Sequence, residues 1–287
     1  MKRFVLLAAL GLIFSSGTSQ AADMTGVSEA EQEKIRLIVK QVLREYAATL
    51  NDKAGNEEAK AMLKNVVQDN QAFVRTHKPE HFSHFQTSQH PRATVITCSD
   101  SRVHTHALDA SPDGDMFMIR NIGNQISTAE GSVEYGVHHL HTPLLLIVGH
   151  VACGAIKAAS SDYSKESGPI RNELDTIQIP KGESGLSSIK LNVNNQVRYA
   201  MNKFEEQVLK GTLTIVGAVY DFKNEMGQGQ GKLNIVNVNG ETDLARIAKL
   251  DLMQGLEAPP PKPTRSTRRL RTRVPAAPVM DEHASEH

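Results

Sequence analysis

The chain contains only two cysteines, and each closes or follows a run of residues suited to a buried strand. The first run is Ala93-Thr94-Val95-Ile96-Thr97-Cys98, continuing as Ser99-Asp100-Ser101-Arg102-Val103. The second is Leu144-Leu145-Leu146-Ile147-Val148-Gly149, followed by His150-Val151-Ala152-Cys153-Gly154. Short continuous runs of this kind predict strands covered on both faces, as in a parallel sheet under helices. Each strand then delivers polar side chains at its C-terminal edge. Residues two apart in extended backbone point the same way, so Cys98, Asp100 and Arg102 face one site if strand geometry persists through them. His150 and Cys153 complete a set of three nitrogen and sulfur donors, with a carboxylate or water left for a fourth position. That is the stoichiometry of a catalytic zinc centre, and thiolate with imidazole suits zinc better than calcium or magnesium.

The rest of the chain reads as alternating helices and strands. Ser28 and Glu31 form a capping box, and Ile35, Ile38, Val39, Val42 and Tyr46 continue at helical spacing to about Leu50. After a polar turn at 51–56, Ala59, Met62, Leu63, Val66, Val67 and Phe73 mark a second amphipathic helix. Residues 76–91, with His77, His81, His84 and His90 irregularly spaced, predict a solvated loop. Pro112 to Asp115 predicts a turn, and Met116 to Ile119 a short buried strand. A helix is expected over Glu130–His141, stopped by Pro143, and another starts at Gly154, whose N-terminus should lower the pKa of Cys153. A short helix within 160–187, a long one over Ile189–Leu209, and strands at Leu213–Tyr220 and Leu233–Val238 complete the pattern. The fold class is α/β: a mostly parallel central sheet flanked by helices, with an N-terminal helical extension and the site at the strand C-terminal ends.

The two ends differ from this body. Lys2 and Arg3, the apolar run Phe4–Phe14 and Ser19-Gln20-Ala21 read as a secretory signal peptide over 1–21, too short to remain as an anchor. The expected divisions are a helical arm over 22–56, a catalytic domain over 57–256 and a disordered tail over 257–287. An exported chain of this kind is expected in the periplasm or secreted, with no membrane span. In such a compartment two cysteines are first read as a disulfide, but their places beside His150 and Asp100 favour metal binding. The formal net charge is zero, yet Lys262–Arg273 carries six basic residues and no acid, leaving the body mildly acidic. No aromatics interleave with that basic run, so it does not predict a nucleic-acid partner.

Three blocks, Cys98-Ser-Asp100-Ser-Arg102-Val, Arg120-Asn121-Ile-Gly123-Asn124 and Gly149-His150-Val-Ala-Cys153-Gly154, resemble the signature blocks of the β-class carbonic anhydrases. They fall in that family's order and at its spacing, within a match over roughly residues 57–240. The resemblance implies zinc (Zn2+) on Cys98, His150 and Cys153, with Asp100 and Arg102 as a catalytic dyad and Asp100 as a conditional fourth ligand. It further implies that Gln89, Phe117 and Tyr135 line a plant-type carbon dioxide pocket, to which Gly154 also belongs. The N-terminal helices of such proteins wrap a neighbouring subunit, which implies a homodimer or higher homo-oligomer.

The chemistry expected at such a site is reversible hydration of carbon dioxide to bicarbonate and a proton by zinc-bound hydroxide. Asp100, held ionised by Arg102, would orient the hydroxide and take its proton, and the plant-type pocket favours an open zinc at neutral pH. His104 and His106 follow the dyad; shuttling protons is open to them, but completing a turn is the simpler role. Two other readings stand beside this one. The same scaffold would serve a hydrolase of carbon disulfide or carbonyl sulfide, and a periplasmic zinc-holding or thiol-redox protein would need no dyad. The chain has no Cys-x-x-Cys pair, which argues against redox work.

Overall fold

The structure, a computed structural model, describes residues 28–51, 57–83 and 85–255, and the side chains of 46–51 are left aside. The expected signal segment, nearly all of the polar turn at 51–56, His84 and the Pro/Arg-rich tail lie outside the described residues. The described residues divide into two compact units, those up to Gln86 and those from Thr87 on.

In the first unit, α1 (Glu29–Asn51) begins at the expected capping box. The Ser28 amide donates to Glu31 Oε2 at 3.1 Å, and the Glu31 amide returns a bond to Ser28 Oγ at 3.4 Å. α2 (Glu57–Thr76) follows, and its apolar stripe of Met62, Leu63, Val66 and Val67 is exposed, as are Ile35, Ile38 and Val39 of α1. The segment expected as a plain loop contains a further short helix, α3 (Pro79–Ser83), opened by a proline where the helix leaves an amide free anyway. Its histidines are not all solvated. His77 stacks on Phe73 at 3.9 Å and lies 4.5 Å from His81, because apolar ring faces pack together even on polar side chains. His90 instead bonds Ser88 Oγ.

The second unit is built on a five-stranded sheet in the order β2-β1-β3-β4-β5. The strands are β1 (Ala93–Cys98), β2 (Met116–Asn121), β3 (Leu144–His150), β4 (Thr214–Asp221) and β5 (Lys232–Val238). β1 pairs in parallel with both β2 and β3, β3 pairs in parallel with β4, and only β5 runs antiparallel. The central strands are covered on both faces: Val95, Ile96, Leu145, Ile147, Val148 and Ile215 are fully buried. β2 differs from the expected buried strand, since it lies at the sheet edge and Ile119 alone of its residues is buried.

Between strands come α4 (Glu130–Glu134), continued by a π-helical turn at Tyr135–His139, then α5 (Gly154–Ser160) and α6 (Gly168–Leu174). The expected helix over 189–209 is two, α7 (Leu186–Lys203) and α8 (Glu205–Leu209), broken at the fully buried Phe204. α7 lies tight on the sheet. A Cβ on Gly149 of β3 would stand 2.6 Å from Val193, and one on Gly217 of β4 would stand 2.7 Å from it. Glycine at both positions is therefore what allows the helix backbone to approach, just before β3 delivers His150. Among the described residues no helix is long and apolar enough to cross a membrane.

Candidate active site

In a sheet of this order the connections from β1 and β3 leave in opposite directions, opening a crevice at their C-terminal ends where ligands bind. Cys98 is the last residue of β1 and His150 the last of β3. The turn after β3 then brings back Cys153, and ligand atoms of Cys98, His150 and Cys153 all lie within 4.8 Å of one another. That turn is strained: Ala152 has φ +52°, a left-handed conformation costly for a residue with a Cβ. It is held by the Val151 amide, which donates to Tyr220 O at 3.2 Å, and by Arg102 Nη2, which donates to Ala152 O at 3.0 Å.

Both thiols are free, with Sγ atoms 4.0 Å apart, about twice a disulfide bond length. His150 is fully buried, and its Nδ1 lies 2.9 Å from Val151 O, a contact that requires the proton on Nδ1. Its Nε2 is thereby left as a lone-pair donor, and it has no hydrogen-bond partner. An unpaired imidazole nitrogen in the core is costly unless something electropositive sits against it. Two sulfurs at zinc bond lengths around a tetrahedral ion stand about 3.8 Å apart, close to the separation found. The donor set and the orphaned Nε2 fit zinc.

The thiols also bear on this. The pKa of Cys98 is pushed down, first by the hydrogen bond from the Cys153 thiol, with burial opposing and the Gly123 amide assisting. Cys153 moves the other way, raised by the same hydrogen bond, by burial and by the charge on Cys98. The expected contribution of the α5 N-terminus is present, but it acts against these. The amides of Ala155 and Ile156 do favour its thiolate, but a second buried sulfur 4.0 Å away outweighs them. Without a cation the pair keeps a proton; a divalent ion between the sulfurs is what allows both to ionise.

Asp100 and Arg102 reach the site by a different route from the one expected. β1 ends at Cys98, and the chain turns so that the Val103 amide bonds Asp100 O at 3.0 Å. Arg102 then grips Asp100 with two parallel bonds, Nε to Oδ1 at 2.8 Å and Nη2 to Oδ2 at 2.7 Å, and adds its own amide at 2.9 Å. This fork holds the carboxyl far below the usual carboxylate range despite partial burial. Asp100 Oδ2 lies 3.8 Å from His150 Nε2, so the carboxylate borders the ligand cluster while remaining committed to Arg102.

Two residues to which sequence reasoning gave no role complete the setting. Arg120 Nη2 donates to the carbonyls of Cys98, Asp100 and Val103 and so fixes the turn carrying the dyad. Phe222, just past β4, stacks on His150 at 6.2 Å and lies under the Arg102 guanidinium at 4.7 Å. Arg120 was visible only as part of a motif, and Phe222 only as one more apolar residue after a strand. The pocket residues are less gathered. The Phe117 and Tyr135 rings meet at 5.8 Å, while Tyr135, Gln89 and Gly154 are exposed in the single chain. His104, just before a 3-10 turn at Thr105–Ala107, and His106 within it are exposed.

The family model described as carbonic anhydrase matches residues 93–229. Carbonic anhydrase 2 of Mycobacterium tuberculosis is 30% identical over 185 residues, which span 58% of this chain and 89% of that protein. A carbonic anhydrase of Mycolicibacterium smegmatis is 35% identical over 147 residues, 46% of this chain and 71% of that one. Among solved structures, one of two tetrameric β-carbonic anhydrases from Sordaria macrospora superposes with a TM-score of 0.50 at 25% identity, covering 64% of this chain and 98% of that chain.

Proposed function

The chain belongs to the β-class carbonic anhydrases, zinc enzymes that interconvert carbon dioxide and bicarbonate, and from that premise we propose how its own residues divide the work. Cys98, His150 and Cys153 hold the metal. Zinc there supplies a Lewis acid that makes water acidic enough to attack carbon dioxide near neutral pH. The observation that carries the assignment is the buried, unpartnered His150 Nε2 beside two free thiols.

Asp100 acts on the attacking water. Its Oδ2 accepts the hydrogen bond that orients the nucleophile, and because Arg102 keeps the carboxyl strongly acidic, a proton received there passes on rather than staying. The Arg102 fork also keeps Asp100 off the metal, so the site works open. Gln89, Phe117, Tyr135 and Gly154 form the carbon dioxide pocket, with neighbouring chains sharing it. Support for a homo-oligomer comes from the exposed apolar stripes of α1 and α2 and from the tetrameric Sordaria relatives. The N-terminal segment is read as a signal for export to the periplasm or beyond, on its charge and hydropathy alone.

Metal analysis alongside a carbon dioxide hydration assay tests this. About one zinc per chain is expected, and Cys98→Ser or Cys153→Ser should lose metal and activity together; full zinc occupancy in both variants overturns the ligand assignment. Asp100→Asn should retain zinc while kcat/KM falls about a hundredfold, as expected when a positioned proton acceptor is lost. Loss of zinc in that variant would instead make Asp100 a ligand.

A further inference from the structure

α7 carries polar side chains on its buried face. Asn192 and Gln196 are one turn apart among Ile189, Val193, Val197 and Ala200, and both are buried. They meet Gln125, which is fully buried. Gln125 Nε2 donates to Asn192 Oδ1 at 2.8 Å, and Gln125 Oε1 accepts from Gln196 Nε2 at 2.8 Å and Thr176 Oγ1 at 3.2 Å. Three amides in a core cost desolvation that apolar side chains of the same shape would not, so they are retained for what they hold.

They hold one carbonyl. Gly123 O accepts from Gln125 Nε2 at 2.6 Å and from Asn192 Nδ2 at 3.0 Å, while Gln196 Oε1 takes the Ile126 amide at 2.8 Å. The loop they grip does not sit still by preference: Gly123 has φ +80° and Asn124 φ +53°, and a Cβ at 123 would stand 2.7 Å from Ile177 Cδ1. On its other side, the Gly123 amide points at the metal site and donates to Cys98 Sγ at 3.5 Å.

We propose that Asn192, Gln125 and Gln196 are positioning residues, a buried amide relay that clamps the Gly123 carbonyl so that the Gly123 amide stays on the Cys98 sulfur and sets how tightly that thiolate keeps zinc. The inference rests on the zinc reading above. A hydrogen bond to a metal-bound thiolate withdraws charge from sulfur and fixes its direction, and residues behind the ligands typically change metal affinity by about 10- to 100-fold.

The test compares the full chain with Asn192→Leu, which keeps the branched shape of the side chain and removes its bonds to Gln125, to the Gly123 carbonyl and to Asn124. Two readings are taken: zinc affinity by competition with a chromogenic chelator, and the sulfur-to-metal charge-transfer band of the cobalt(II)-substituted protein. Zinc binding weakened about tenfold, with the cobalt band moved to longer wavelength as the sulfur loses its hydrogen bond, is the expected result. A variant of wild-type affinity and band position overturns the inference, even if it melts at lower temperature, because a merely structural role would move only the melting. If Asn192→Leu does not fold, Thr176→Val, which removes one peripheral bond to Gln125, decides: a smaller shift of both readings in the same direction supports the relay and no shift overturns it. A wild-type chain that takes up neither zinc nor cobalt refutes the zinc reading, and the inference falls with it.

Discussion

The two units use the same kinds of side chain to opposite ends. In the second unit Ile96, Ile147, Val148 and Ile215 lie in central strands and are wholly buried. In the first unit Leu63 of α2 is 64% exposed and Ile38 of α1 60% exposed, although each belongs to a helical stripe as regular as any in the chain. A strand in the middle of a parallel sheet is covered twice by its own chain, because each crossover lays a helix on one face. An amphipathic helix supplies one apolar face and waits for something to lie against it. The sheet unit thus closes its own core and can hold a metal site rigidly, whereas the helical unit leaves its apolar stripes exposed within the single chain.

The sharpest way to break this contrast is to cut equal amounts of side chain from each region. Ile147→Ala shortens the side chain at a fully buried position of β3, three residues before His150. It should destabilise the sheet unit by about 2–5 kcal/mol, the cost of lost transfer energy plus a cavity that close packing does not refill. Chemical denaturation followed by far-ultraviolet circular dichroism measures it. A loss below about 1 kcal/mol would mean that the sheet centre is more plastic than its burial indicates.

Much of this was legible in the chain. Strand ends and the capping box are local features, and Ser28 with Glu31 forms the bonds that the spacing foretold. The metal cluster was legible because Cys98 and His150 end adjacent strands, so two short runs sufficed to bring them together. What failed depends on distant neighbours. β2 reads as buried from its composition, yet edge or centre is decided by which strand pairs where. Asp100 and Arg102 arrive through a turn fixed by Arg120, eighteen or more residues later in the chain, so alternation along a strand gave the right outcome for the wrong reason. The coupling of Cys153 to a second sulfur was not legible either, because that sulfur comes from a strand 55 positions earlier. Asn192 and Gln196 went unremarked, since two polar residues on an apolar helical face look like irregularity until Gln125 is found between them.

The smaller expected effect lies in the helical unit and sharpens the contrast instead of breaking it. Leu63→Ala deletes a side chain that is mostly in solvent within one chain, so unfolding of the isolated chain should change by no more than about 0.5 kcal/mol. If α2 is covered by a second copy, the same deletion uncovers apolar area in the assembly. Full burial of a leucine is worth about 1.5–3 kcal/mol, and a partly buried one about half that, so the dissociation constant should rise roughly tenfold. Sedimentation over a dilution series reads the two quantities apart, since the monomer's stability and the assembly's midpoint move independently. Leu63→Lys should act in the same direction and further, because it places a charge in the covered stripe. Unchanged sedimentation in both variants at every concentration would leave α2 without a role in association and move the interface elsewhere on the chain.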